Sequence, residues 1–278
     1  MILIAESGST KTDWRFVHPN GEISSYSTIG FNPYHISEAG VLEALKNSEL
    51  TAIKTAIKQV FFYGAGCSTA ENCLMLSSSL ELFFNNASIE VSHDMLAAAR
   101  ATCGKEKGMV AILGTGSNSC LYDGNAISIN VTSLGYLLGD YGSGAAIGKT
   151  FISAYLEKEL PQEILADFKE SYQLSTTDIL NAVYKQALPN RFLAGFNLFV
   201  AQHINEPVIK QIVENSLDAF FEKNICKYAN YQQNKLHFIG SISFVYEDII
   251  REIAKKYNVV IGKIIKGPIE ELVNYHLM

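Results

Sequence analysis

One pattern occurs twice in this chain and limits its fold more than any other feature. The apolar run Ile2-Leu3-Ile4-Ala5 breaks into Ser7-Gly8-Ser9-Thr10-Lys11-Thr12. A second run, Asp13 to Val17, turns at Pro19-Asn20-Gly21 and continues from Glu22 to Ser27. After Gly108 the plan restarts: Met109 to Leu113 breaks into Gly114-Thr115-Gly116-Ser117-Asn118, Ser119 to Tyr122 follows, Asp123-Gly124-Asn125 turns, and Ala126 to Val131 closes the series. Short apolar runs separated by Gly, Asn and Pro read as strands joined by hairpins, because those residues supply the backbone angles of a tight reversal.

Helical spacing fills the gaps. Val41, Leu42 and Leu45 mark a helix over 37–50, Leu74, Leu76, Leu80 and Leu82 one over 71–84, and Asp94 opens another that runs to about Thr102. Val60 to Tyr63 and Ser88 to Val91 read as strands between them. From Gly142 to about Tyr228 the pattern is mostly helical, with Phe192, Phe196 and Phe199 as a core stripe. The chain ends with a strand at 236–239, the break Gly240-Ser241, helices near 244–257 and 269–276, and a strand at 259–261. Strands mixed with helices imply an α/β architecture with mixed sheets. The domain boundary is expected near 102–107, giving a first domain over 1–104 and a second over 105–278, whose last helix is free to pack back on the first.

Composition narrows the function classes. With 48% apolar and 18% charged residues, the 278-residue chain can bury a sizeable core, which excludes a disordered tail, a low-complexity linker and a collagen-like rod. Its 22 basic and 28 acidic side chains give a net charge of −6, and the short basic stretches at 105–107 and 255–256 are mixed with acids. Nucleic-acid binding asks instead for a clustered basic stripe. Cys67, Cys73, Cys103, Cys120 and Cys226 contain no CxxC pair, so neither a disulfide framework nor a four-cysteine metal site is expected. The opening MILIAES lacks the basic start of a signal peptide, and no apolar run is long enough for a membrane span. These features point to a cytoplasmic protein with neither a nucleic-acid nor a membrane partner, and leave a homodimer open.

The two hydroxyl-rich glycine loops each follow a strand, where exposed backbone N–H groups form a concave anion site. One such loop is a tight turn; two, each opening the same strand series, suggest a split nucleotide site. Rival schemes fail. Gly148-Lys149-Thr150 resembles the end of a P-loop, but Ser143 stands where its first glycine belongs. Gly114-Thr115-Gly116 is followed by Ser119 in the position of the last glycine of a dinucleotide fingerprint.

The segment from Glu6 to Asp13 resembles the first phosphate motif of the actin-like ATPase and sugar kinase superfamily. Ile112 to Asn118 resembles the second, and Phe238-Ile239-Gly240-Ser241 the adenosine motif. Together with Ser92-His93-Asp94 and Gly135-Tyr136-Leu137-Leu138-Gly139-Asp140, the set is most similar to the N-acetylglucosamine kinase branch, which is grouped with the ATPases that activate 2-hydroxyacyl-CoA dehydratases. The likeness runs from Ile2 to about Phe244. It implies two actin-like (ribonuclease H-like) domains, each a mixed five-stranded sheet flanked by helices, with ATP in an interdomain cleft. The activity implied is transfer of the γ-phosphate to a hydroxyl of N-acetylglucosamine or a related hexosamine. The alternatives are a dehydratase-activating ATPase, for which no cysteine motif looks suited, and a relative that binds without catalysis.

The resemblance also implies roles. Ser9, Thr10, Lys11, Gly114 and Thr115 would hold the phosphates, and Gly240 and Ser241 the adenosine. Glu6, an acid directly after a buried strand, needs a partner there, either Mg²⁺ held through water or a nearby lysine. Asp94 is the candidate base, although by position alone an aspartate there is a helix N-cap. Asn32, Ser117, Asn118, Gly135 and Asp140 match sugar-contact positions. One departure stands out: family members carry Gly-Asp-Glu-Gly-Ser where this chain has Gly139-Asp140-Tyr141-Gly142-Ser143. A phenol cannot supply that carboxylate, so Tyr141 is expected to weaken or redirect the sugar site.

Overall fold

The computed structural model describes residues 1–278. By its contacts the chain divides into two units. The first comprises Met1–Glu106, Gly124–Ala126 and Gly267–Met278; the second comprises Lys107–Asp123 and Ile127–Lys266.

Five strands form the sheet of unit 1: β1 (Ile2–Ser7), β2 (Lys11–Val17), β3 (Ile23–Ile29), β4 (Gln59–Gly64) and β5 (Ser88–His93). Their order is β3-β2-β1-β4-β5. The hairpin strands β1, β2 and β3 pair antiparallel, whereas β4 and β5 join β1 in parallel. Unit 2 repeats this plan with β6 (Gly108–Leu113), β7 (Ser117–Tyr122), β8 (Ile127–Val131), β9 (Leu236–Ile239) and β10 (Ile261–Ile265), in the order β10-β9-β6-β7-β8. Again the first three are antiparallel and the last two parallel. The expected pair of mixed five-stranded sheets is therefore present, with one topology used twice.

Burial explains which runs are apolar throughout. The central strands β1 and β6 are covered on both faces, so Leu3, Ile4 and Ala5, like Met109, Val110 and Ala111, are fully buried and show no alternation. The edge strand β3 buries none of its residues. In unit 1 the core centres on Trp14, whose ring lies 5.9–6.3 Å from Phe31, Phe62 and Phe84. Removing such a side chain costs on the order of 3–5 kcal/mol. The core of unit 2 gathers Phe151, Phe168, Phe196 and Phe199, two of them from the expected stripe, while Phe192 packs at its margin.

Several boundaries differ from the sequence reading. The helix expected over 37–50 spans Glu38–Lys46, capped by Ser37, and a 3₁₀ turn follows at Glu49–Ala52. The last strand starts at Ile261 rather than 259, because Asn258 takes a left-handed turn (φ 55°) after the preceding helix. The stretch expected at 244–257 is two helices, Ser241–Val245 and Glu247–Lys256. The P-loop lookalike lies inside the helix Gly144–Leu156, where Thr150 Oγ1 donates to the Ala146 carbonyl (3.1 Å). No helix is long and apolar enough to cross a membrane.

The helix Ile269–Leu277 belongs to unit 1 and is fastened there by charged and aromatic contacts. Arg15 donates to Glu270 Oε1 through Nε (2.9 Å) and Nη2 (2.7 Å). The Tyr63 hydroxyl lies 2.8 Å from His276 Nε2 and accepts from Arg100 Nη1 (2.6 Å), which also donates to Glu90 (3.0 Å). Burial and the Arg100 cation push the His276 imidazole down to about 4, so it is neutral and accepts the tyrosine proton. Arg100 lies in the helix Asp94–Cys103, the helix that begins with the candidate base.

Candidate functional site

In unit 1 the first hydroxyl loop is the tip of the β1–β2 hairpin, and a chain of buried groups fixes its base. The Phe31 N–H donates to Ser7 Oγ (2.9 Å), which lies 2.8 Å from Thr12 Oγ1, and Thr12 in turn donates to the Ile29 carbonyl (2.9 Å). Because Thr12 spends its only proton on Ile29, the Ser7 hydroxyl must donate to Thr12. The tip rests on Gly30: a Cβ added there would come within 2.5 Å of the Ser9 carbonyl carbon and 2.6 Å of the Thr10 nitrogen. Ser9 Oγ accepts from Asn32 Nδ2 (2.8 Å), and Asn32 Oδ1 accepts from the Tyr34 N–H (3.0 Å). The Asn32 amide thus braces the loop. Thr10 and Lys11 are exposed, and Lys11 Nζ pairs with Asp13 Oδ1 at 2.6 Å.

Beside the tip lie the acids. Glu6 is the β1 residue directly opposite Asp13 on β2. Its carboxyl makes no ion pair, and the nearby Lys11 is bonded to Asp13. Burial, then Asp13, then Asp94, push Glu6 from 4.5 up to about 7, opposed only by Lys11. No three His, Cys, Asp or Glu side chains are close enough for a direct metal cage. An acid repelled by two neighbouring carboxylates, whose one nearby cation is already paired with Asp13, fits a hydrated divalent ion.

Asp94 occupies the first position of its helix, after β5. The cap is His93, whose Nδ1 accepts the Leu96 N–H (3.3 Å), so the capping role set against Asp94 falls to its neighbour. Burial raises the Asp94 carboxyl above the usual range, while His93 and the Met95 backbone N–H favour its charged form. Burial also lowers His93, against the pull of Asp94.

In unit 2 the second loop is held by backbone. Gly114 N donates to the Gly116 carbonyl (3.0 Å), and the first N–H groups of the helix Gly144–Leu156 donate back to the loop: Gly144 to Gly114 O (2.8 Å) and Ala145 to Thr115 O (3.1 Å). Asp140, in a left-handed conformation (φ 51°), sets its carboxylate against this loop. It accepts from Ser133 Oγ (3.2 Å) and from the Ser117 N–H, and burial raises its pKa against those two bonds. Gly116 permits the approach, since a Cβ there would lie 2.8 Å from Asp140 Oδ2. Ser117 is 6% exposed, and its hydroxyl has no hydrogen-bond partner at all. Asn118 is committed locally, its Oδ1 accepting from Ser119 N–H (2.9 Å) and Asn130 Nδ2 (3.0 Å). Gly135 opens the short helix Gly135–Leu138 with φ 71°. Tyr141 packs against the apolar cluster of unit 2 and so works as a core contact.

A cavity of about 450 Å³ opens beside the loop. Gly114, Thr115 and Ser241 line it together with Arg191, Ala194, Gly195, Asn197, Leu198, Ala201, Ile242, Val245 and Tyr246. Gly240, at φ 121°, lets the end of β9 lie against the backbone of Leu113 and Gly114. Gly114 and Thr115 of the loop and the sequence-distant Ser241 therefore share one pocket, and Ser117 and Asp140 meet beside the same loop. Asn32 also braces the first loop through Ser9, and Asn118 Oδ1 also ties β7 to β8 through Asn130. Sequence reasoning missed Asp13, Ser133 and Arg191. Only Asp13 was within reach, through the register of the β1–β2 hairpin.

No protein-family profile and no curated protein matches the chain. Among solved structures, a protein of Porphyromonas gingivalis provisionally named an N-acetylglucosamine kinase is 42% identical, with a TM-score of 0.94, over 99% of this chain and 98% of its own. A Chromobacterium violaceum protein named in the same provisional way shares 14% identity at a TM-score of 0.72, covering 99% and 98%. A ROK-family glucokinase of Streptomyces griseus, solved with glucose and AMPPNP, shares 15% at 0.55, covering 99% and 97%. The last two speak for the fold alone.

Proposed function

The chain belongs to the N-acetylglucosamine kinase family of ATP-dependent sugar kinases, and from that premise we propose that it moves the γ-phosphate of ATP to a hydroxyl of N-acetylglucosamine or a related hexosamine. The observation that carries the proposal is the meeting of Gly114, Thr115 and Ser241 around one cavity of about 450 Å³, with the unpartnered Ser117 hydroxyl next to the loop. A buried hydroxyl without a partner costs about 1–3 kcal/mol, a debt that a polyol ligand removes.

Phosphoryl transfer asks mainly for positioning and for neutralising charge on the phosphate oxygens. In this reading Thr10 and Thr115 donate to the phosphates, each from a rigid loop, with Ser9 and Lys11 beside Thr10. Gly240 and Ser241 border the adenosine. Ser117 and Asp140 take the sugar hydroxyls, with the Gly135 backbone as a further contact. Asn32 and Asn118 are further sugar contacts, Asn32 also steadying the first loop through Ser9. Asp94 orients the acceptor hydroxyl and receives its proton. Its raised pKa suits it to that task better than an exposed aspartate, because a base nearer neutrality has more driving force to take a proton. Glu6, with Asp13 and Asp94 near it, would hold Mg²⁺ through water, and that ion would supply charge neutralisation at the phosphates. We take the reaction to be cytoplasmic and to serve amino-sugar metabolism.

The test is an ADP-release assay with Mg-ATP over N-acetylglucosamine, glucosamine, N-acetylmannosamine and glucose. ADP production dependent on a hexosamine is the expected result. Release independent of every sugar would remove the proposal.

A further inference from the structure

The cavity beside the second loop has an unusual inventory of polar groups. Ala194, Gly195, Leu198, Ala201, Ile242 and Val245 offer no polar side-chain atoms. Two polar side chains in the wall are already spent. Asn197 Nδ2 donates to the carbonyls of Gly144 (2.7 Å) and Ala194 (3.1 Å), and its Oδ1 takes the Tyr246 hydroxyl proton (3.5 Å). The carbonyl of Ala201 accepts the Ile204 N–H. On the reading proposed above, Thr115 and Ser241 serve the phosphates and ribose. That leaves Arg191, on the helix Pro189–Gly195, exposed and with no hydrogen bond or ion pair to its guanidinium. The base would therefore meet mostly apolar walls and one unengaged donor fork.

Purines differ in what they show such a wall. Adenine presents its N6 amino donor beside N7, whereas guanine and hypoxanthine present two adjacent acceptors, O6 and N7. A guanidinium bonds that pair through two N–H groups and has nothing to offer an amino group. A site rejects a near-isostere strongly only when buried polar groups are left unpaired by it. Replacing adenine with guanine or hypoxanthine leaves no polar side chain of this wall newly unpaired.

We infer that the nucleotide site is tolerant of the purine base: Arg191 reads the O6/N7 edge, and GTP and ITP serve as phosphoryl donors alongside ATP. This rests on the kinase reading above. The test compares kcat/KM for ATP, GTP and ITP at saturating N-acetylglucosamine, using the whole chain and its Arg191→Ala and Arg191→Lys variants. Expected values for GTP and ITP lie within about tenfold of ATP, since apolar walls discriminate weakly. Arg191→Ala should lower the GTP/ATP and ITP/ATP ratios of kcat/KM by about tenfold, as the loss of a bidentate contact does. Arg191→Lys should move the ratio in the same direction. A larger disadvantage for GTP and ITP, or an equal loss for all three nucleotides in the variants, overturns the inference. Should no nucleotide support sugar phosphorylation, the kinase reading fails instead. Calorimetric binding of AMPPNP and GMPPNP then decides the inference by the same tenfold limit.

Discussion

Thr12 and Ser117 stand at the same place in two copies of one topology: each is the first β-hairpin partner of a residue that ends a central strand, Ser7 in β1 and Leu113 in β6. Their hydroxyls have opposite fates. Thr12 is locked between Ser7 and the Ile29 carbonyl, while Ser117 is buried with nothing to bond. The reason lies in what holds each loop. Unit 1 fixes its hairpin with side-chain hydroxyls and the Asn32 amide, whereas unit 2 uses the N–H groups of the helix at Gly144 and Ala145. Where backbone does the holding, side chains are released to meet a ligand. Duplication of a fold thus leaves room for division of labour: acids gather around the first loop, and an open hydroxyl and a cavity lie beside the second.

The largest expected effect tests the acidic side of this division. Asp94→Asn should lower kcat by about 10²–10⁴-fold, the usual worth of a positioned base, and leave sugar affinity nearly unchanged in a direct binding measurement. Turnover close to that of the native chain would take Asp94 out of the chemistry. Next comes a pair of glycines. Gly30→Ala pushes on the backbone of the first loop and should reduce kcat/KM for ATP by about 10²-fold, the scale of an ångström-sized misplacement of a positioned group. Gly116→Ala pushes on the Asp140 carboxylate and should act mainly on KM for the sugar. If both variants shifted the same parameter, the two loops would not divide the work as described.

A smaller effect concerns Glu6. Its carboxyl titrates near 7 in the folded chain against 4.5 when exposed, so the unfolded chain loses that proton first as pH rises. Stability of the metal-free protein should then fall between about pH 4.5 and about pH 7 and level off above. Mg²⁺ should raise the melting temperature more at pH 8 than at pH 5; equal shifts in melts with and without chelator would separate Glu6 from the ion. Smallest of all is Tyr141→Glu. Because Tyr141 packs against the apolar cluster, the variant should lose about 1 kcal/mol of stability and keep its hexosamine preference, as kinetics over a sugar panel would register.

Much of the fold was legible because buried central strands must be apolar on both faces, and Ile2-Leu3-Ile4-Ala5 and Met109 to Leu113 announce themselves as such. The second glycine loop and the resemblance to an adenosine motif then pointed to Gly114, Thr115 and Ser241, which share the cavity. Legibility stopped where a side chain had two equally good uses. Asn32 and Asn118 read as ligand contacts, and the sequence did not show that Asn32 also braces the Ser9 loop or that Asn118 Oδ1 also joins β7 to β8. For Asp94, read as the candidate base, the rival role of helix cap stayed open because nothing in the sequence tells that the His93 ring will accept the N–H instead. By sequence alone, the departure at Tyr141 is expected to weaken or redirect the sugar site, and the sequence did not show that its ring also packs against the apolar cluster. Arg191 left no trace, being one cation in a long helical stretch.

The fastening of 267–278 onto the first sheet has a consequence for how the molecule is made. Arg15, Tyr63 and Arg100 emerge from the ribosome long before Glu270 and His276, so unit 1 waits, through the whole synthesis of unit 2, for the piece that closes it. Until then the face of β4 that will carry the His276 ring is bare, and the nascent chain carries its own reason to be shielded by a chaperone.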